Sequence, residues 1–208
     1  MKVRKLAVEG ALEFTPRVFQ DARGLFVSPF QEEAFAAAAG RRLFPVAQTN
    51  HSRSSRGVVR GVHYTTTPPG TAKYVYCARG AALDIVVDIR VGSPTYGAVD
   101  AVLLDQADFR CMYFPVGVGH AFVALADDTV MSYMLSGSYV AEQELALRAL
   151  DPALGLPIPD DVERLLSDRD RVAITLAEAR AQGLLPRYEE CRRIEAALMP
   201  PLDVAVPA

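Results

Sequence analysis

Apolar and polar residues change places in short runs through the middle of the chain. Lys73–Arg79 (KYVYCAR) stops at Gly80, and residues 83–90 (LDIVVDIR) stop at Gly92-Ser93-Pro94. Residues 101–104, Cys111–Phe114, 120–125 and Thr129–Leu135 follow, each bounded by turn residues. A spacing of roughly ten residues with turn signals between runs predicts a β-sandwich or barrel. No long helical pattern separates the strands, which excludes a parallel βαβ sheet. Upstream, residues 31–39 (QEEAFAAAA) are good helix formers that end at Gly40, a common helix stop. Downstream, a proline-rich connection at 151–160 leads to helical stretches at 175–182 and 187–195, which read as surface helices. The pattern predicts one domain over 1–208: a strand-rich core at about 42–140, N-terminal strands and a helix in 1–41, and a helical tail at 160–199.

Composition narrows the classes. Half of the 208 residues are hydrophobic, and 22 basic residues face 25 acidic ones, a formal charge of −3. An acidic chain is a poor general binder of nucleic acid, so any anion it holds must meet a local cluster of cations. No apolar run reaches the ~18 residues that a membrane span needs. The first twenty residues carry charges throughout, unlike a secretory signal. Cys77, Cys111 and Cys191 are odd in number and far apart, which fits neither a disulfide framework nor a zinc pattern and points to the reducing cytoplasm.

The candidate chemistry begins with His51, His63 and His120. His120 closes Pro115-Val116-Gly117-Val118-Gly119-His120, the P-x-G-x-x-H pattern of the second cupin motif. A cupin metal site needs a histidine pair on the first motif, where this chain has a lone His63 followed by Tyr64. One or two histidines rarely close a transition-metal site, so no metal is expected. Along 131–139, Met131, Tyr133, Leu135, Gly137 and Tyr139 share one face if pairing is regular. The two tyrosines are either core residues or, facing a ligand, a proton donor and a stacking ring. Lys73 reads as a solvated strand end or as a pocket cation, the first being the commoner arrangement. Arg60 and His63 stand an odd number of residues apart, so a regular strand sends them to opposite faces. Gly61 between them is able to host a bulge, which would bring both to one pocket. Ser167-Asp168-Arg169-Asp170 is on its own terms a charged loop. There is no G-x-G-x-x-G after a strand, hence no sign of a nicotinamide site.

Taken together, several ordered segments resemble the dTDP-4-dehydrorhamnose 3,5-epimerase family over about residues 6–188. They are 19–26 (FQDARGLF), Gln48-Thr49-Asn50, 57–63 (GVVRGVH), Lys73, 84–95 (DIVVDIRVGSPT), the motif ending at His120, 133–139 and 166–170 (LSDRD). Within the family the chain is most similar to the carbon-5 epimerases of vancosamine-type antibiotic sugar pathways. The resemblance implies an all-β cupin jelly roll with a small C-terminal helical appendage. It implies a cofactor-free enzyme that inverts carbon 5, or carbons 3 and 5, of a dTDP-linked 4-keto-6-deoxyhexose. In that reading His63 is the base, Asp170 orients it, Lys73 stabilises the enolate, and Tyr133 is the acid on the opposite face. Arg23 and Arg60 hold the diphosphate, as a planar fork suits that group. Gln48, Asn50, His120, Glu144 and Arg169 contact substrate, and Tyr139 stacks on thymine. The family's dimers exchange N-terminal strands, for which Phe14, Val18 and Phe19 are the candidates here.

The chain departs from the family's R-G-x-F-x-E pattern: Arg23-Gly24-Leu25-Phe26-Val27 is followed by Ser28, so one carboxylate is missing. The residue after His120 is Ala121 rather than glycine, and there is no tryptophan. These changes favour a more deoxygenated or aminated sugar than the rhamnose precursor. The competing readings are a carbon-3-only epimerase and a non-catalytic sugar-nucleotide-binding cupin. The latter needs neither a base at His63 nor an acid at Tyr133.

Overall fold

The structure, a computed structural model, describes residues 1–198. In chain order the elements are β1 (Lys2–Lys5), β2 (Leu12–Thr15), β3 (Val18–Asp21), β4 (Gly24–Val27), α1 (Glu32–Ala39), β5 (Gln48–Ser54), β6 (Val59–Thr65), β7 (Lys73–Arg79) and β8 (Ala81–Val87). There follow β9 (Val99–Asp105), β10 (Cys111–Phe114), β11 (Gly119–Ala124), β12 (Thr129–Leu135), β13 (Glu144–Ala146), α2 (Asp168–Arg171), α3 (Leu176–Ala181) and α4 (Tyr188–Leu198).

Two antiparallel sheets face each other. One runs β1-β2-β10-β7-β12-β5 and the other β13-β6-β11-β8-β9. Alternate residues of both sheets fill the space between them: Val75, Cys77 and Met131 from the first pack with Ala82, Val86 and Phe122 from the second. This is the double-sheet jelly roll of the cupins. The sheets reach beyond the expected 42–140 core at both ends, because β1, β2 and β13 belong to them.

The outer faces are also apolar, and the tail's two surface helices lie against them as expected. On the six-stranded sheet, Tyr74, Cys111 and Tyr113 pack with Phe35 of α1 and with Cys191 of α4. On the five-stranded sheet, Ile85, Val87 and Ala121 pack with Ala179 of α3 and Leu185. Each tail helix therefore buries one face, and the jelly roll carries its core in three layers.

The N-terminal strands divide in two. Phe14 lies in β2 and is fully buried in its own chain's sheet, so it is not available for exchange. Val18 and Phe19 lie in β3, which pairs only with β4. That hairpin leaves Phe19 51%, Leu25 48% and Phe26 68% exposed.

Candidate active site

A cavity of about 470 Å³ opens between the two sheets. Its walls include Asn50, Arg60, His63, Lys73, His120, Tyr133, Tyr139 and Glu144. The fold brings these expected residues to one cavity, and the register explains how.

On β6, Arg60 and His63 face Phe122 and His120 of β11, so three steps on one strand span two on the other. The extra residue is absorbed at Gly61, whose φ of +113° suits glycine. A Cβ there would lie 2.4 Å from the His120 carbonyl oxygen. The bulge turns both Arg60 and His63 toward the cavity.

Asp170 reaches His63 from a distant segment. Leu165 forms a parallel bridge with Val58, tying the segment to the start of β6. Ser167 then caps α2 by accepting from the Asp170 amide, which sets Asp170 in the first turn. His63 Nε2 lies 2.6 Å from Asp170 Oδ1. The hydrogen bond and charge of His63, with further bonds from Ser167 and Gly61, hold the Asp170 carboxyl below the usual range despite its burial. An ionised Asp170 accepts from Nε2–H, leaving the lone pair on Nδ1 for the cavity.

Tyr133 stands on β12 of the other sheet. Its hydroxyl is 3.3 Å from Ser52 Oγ, and its ring meets His120 edge-on at 6.1 Å between centroids. Burial pushes the phenol's pKa up, while Ser52 and Arg60 pull it down. Lys73 does not end in solvent as the commoner arrangement would have it. It lines the cavity, where burial lowers its pKa and the charges of Glu144 and Asp84 raise it. Glu144 accepts from Thr65 Oγ1 at 2.7 Å, held by the pairing of β13 with β6. Gln48 donates to Asn50 Oδ1 at 2.7 Å and accepts from the Tyr139 amide at 2.9 Å, which ties the Tyr139 backbone to the cavity wall.

Four expected residues lie outside this lining: Gln48 and Asp170, each bonded to a lining residue, and Arg169 and Arg23. Arg169 lines an adjoining cavity of about 420 Å³ that shares Arg60 and His63 with the first, and donates to the Glu144 carbonyl oxygen at 2.6 Å. Arg23 is not brought to the site at all within one chain. It sits at the turn of the exposed β3–β4 hairpin, paired with Asp21 at 2.6 Å, because that hairpin has no strand of its own chain to lean on. Sequence reasoning missed Asp84, Ser52 and Phe122. Asp84 had a signal: an acid inside the apolar run of 83–87 must be paired if it is buried. Among the described residues no group of three or more His, Cys, Asp or Glu is placed to hold a metal ion.

The cavity presents an aspartate-bound histidine from one sheet, and a tyrosine and a half-buried lysine from the other. Comparison with known proteins places it. The family model described as dTDP-4-dehydrorhamnose 3,5-epimerase matches residues 5–178. The chain belongs to this family. It is 48% identical over 192 residues to the dTDP-4-dehydrorhamnose 3,5-epimerase of Mycolicibacterium smegmatis, covering 92% of this chain and 94% of the relative. The solved rmlC epimerase of Mycobacterium tuberculosis superposes with a TM-score of 0.90 at 44% identity, over 95% of this chain and 100% of that one. ChmJ, a 3'-monoepimerase from Streptomyces bikiniensis solved with dTDP-quinovose, gives a TM-score of 0.87 at 46% identity, over 92% and 96%. The protein is thus an isomerase of the epimerase type acting on dTDP-linked 4-keto deoxysugars, with antibiotic-cluster enzymes among its relatives. No helix among the described residues is long and apolar enough to cross a membrane.

Proposed function

We propose that this epimerase inverts carbon 5 of a dTDP-4-keto-6-deoxyhexose, with carbon 3 exchanging its proton through the same base, and that no cofactor takes part. The observation that carries the reading is the origin of base and acid on opposite sheets: His63 on β6 and Tyr133 on β12, facing one cavity. Inversion needs a proton removed from one face of the ring and returned to the other. The ketone at carbon 4 acidifies its neighbours, because the anion left behind delocalises onto oxygen. His63 Nδ1 takes the proton and becomes an imidazolium beside Asp170. Lys73 faces the developing enolate oxygen. Tyr133 gives a proton to the opposite face, and its phenolate is met by Arg60 and Ser52. Arg60 and Arg169 flank the space for the diphosphate, and Tyr139 supplies a ring for thymine.

Identity does not divide carbon 5 from carbon 3, since 3,5-epimerases and a 3'-monoepimerase lie at similar similarity. Deuterated water does. With a dTDP-4-keto-6-deoxyglucose substrate we expect label and inversion at carbon 5, and slower label at carbon 3. Tyr133→Phe is expected to keep part of the exchange, because His63 still forms the enolate, and to lose far more of the inversion. Inversion at carbon 3 alone would make the chain a carbon-3 epimerase. No label at all would make it a binder.

The working unit we propose is a homodimer in the cytoplasm, consistent with three buried, free cysteines. β5 is the open edge of the six-stranded sheet and carries Asn50 at the cavity wall. The apolar β3–β4 hairpin is the strand pair without a sheet. Docking the hairpin on the partner's β5 covers both and delivers Arg23 to the partner's cavity. Mixing Arg23→Ala with His63→Ala protein, each inactive alone, is then expected to restore turnover in mixed dimers. Continued inactivity after subunit exchange would place Arg23 outside the site.

A further inference from the structure

The least explained group around the cavity is Asp84. It is completely buried on β8, opposite Phe122 in the register, and its Oδ1 lies 2.6 Å from His120 Nε2. Its other oxygen, Oδ2, is buried with no hydrogen-bond partner. A lone carboxylate oxygen in such a place is costly, and natural structures seldom keep one without a task. The groups it faces suggest the task. Lys73 on β7 sits within its electrostatic reach, and Lys73 has no carboxylate within ion-pair distance among the described residues. The other ionisable groups around the Lys73 cavity are Glu144, His51, His63, His120, Tyr133, Tyr139 and Arg60. Of these only Glu144 carries negative charge, and it is already engaged by Thr65.

We propose that Asp84 is a positioning residue for the reaction: one oxygen fixes the His120 ring against the cavity, and the carboxylate's charge keeps Lys73 an ammonium facing the enolate oxygen. This rests on the epimerase reading given above. The bond at Nε2 leaves His120 Nδ1 as the ring atom available to substrate, so the same carboxylate also aims a second polar group at the sugar. Asp84 touches neither substrate nor reacting atoms; it acts through His120 and Lys73. Burial alone pushes Lys73 toward the neutral amine and Asp84 toward the neutral acid, and each charge offsets the other's cost.

The test follows proton exchange at the carbon next to the ketone, in deuterated water, across pH, for wild type and Asp84→Asn. A neutral amide of the same shape removes the charge and leaves an acceptor for His120. Exchange at neutral pH is expected to fall about tenfold, less than the ~10²–10³-fold of losing an enolate-stabilising donor outright, because Lys73 is weakened and not removed. Its alkaline limb is expected to move to lower pH, since an ammonium without its counter-charge loses its proton sooner. Calorimetric affinity for dTDP is expected to stay within a few-fold of wild type. Asp84→Ser, smaller and neutral, must give the same two changes and serves if the asparagine variant does not fold. A fall in rate with the alkaline limb unmoved overturns the proposal, because a merely structural role predicts that result. An unchanged rate, or a loss confined to dTDP affinity, overturns it as well. Absence of exchange in wild type would instead remove the epimerase reading on which it stands.

Discussion

Two carboxylate–histidine pairs stand side by side in this molecule. His63 and His120 are direct partners across β6 and β11, and each holds an aspartate at 2.6 Å through Nε2. Their surroundings differ. The His63 side chain is 31% exposed and Asp170 3%, whereas His120 is 7% exposed and Asp84 0%. Asp170 also receives bonds from Ser167 and Gly61, and its carboxyl is held below the ordinary range. Asp84 has an orphan oxygen, and burial holds its carboxyl above that range. The same two side chains thus make different devices. The open, well-satisfied pair suits the base proposed for His63, and the sealed, under-satisfied pair suits the positioning role proposed for Asp84.

The comparison can be broken most directly at the two rings. His63→Ala is expected to remove epimerisation by on the order of 10²–10⁴-fold, the value of a general base, while dTDP still binds. His120→Ala is expected to cost less, since it removes an orienting contact. Equal losses, measured as turnover with dTDP affinity alongside, would abolish the distinction. A smaller and sharper effect lies in the pH dependence of stability. Asp170 has a depressed folded pKa, so its contribution is present above the unfolded value of 3.8 and is lost as pH falls through the folded value. Asp84 has a raised folded pKa, so the folded state binds the extra proton, and stability falls as pH rises from 3.8 through the raised value. Melting temperatures of Asp170→Asn and Asp84→Asn, each relative to wild type, are expected to drift in opposite directions over their windows. Asp170→Asn falls further behind as pH climbs toward 3.8, and Asp84→Asn gains ground above it. Drifts of the same sign would mean that the two carboxylates sit in equivalent environments.

What the sequence disclosed follows the range of each interaction. β7, β10 and β12 match their hydrophobic runs residue for residue, because alternation and turn residues are local. The meeting of Arg60 and His63 was legible too, as the odd spacing and the glycine are both written within four residues. Asp170 was legible only through family resemblance. Four charged residues do not make a helix by propensity, and α2 exists through the Ser167 cap and the distant Val58–Leu165 bridge. Lys73 went against its prior because β7 is an interior strand of its sheet, and the strand's end lies inside the cavity rather than beyond the fold. Arg23 illustrates the reverse case: the motif around it is clear, yet nothing in one chain tells which cavity it serves.

The single extra residue at Gly61 carries a consequence for anyone moving this chemistry elsewhere. A pleated strand has parity, and its odd and even members never meet on one side. Here His63 and Arg60 have opposite parity, and the bulge is the fault line that reconciles them. Deleting Gly61 would heal the pleat and turn one of the two side chains out of the cavity. A graft of these residues onto another sheet must transplant the defect together with the side chains.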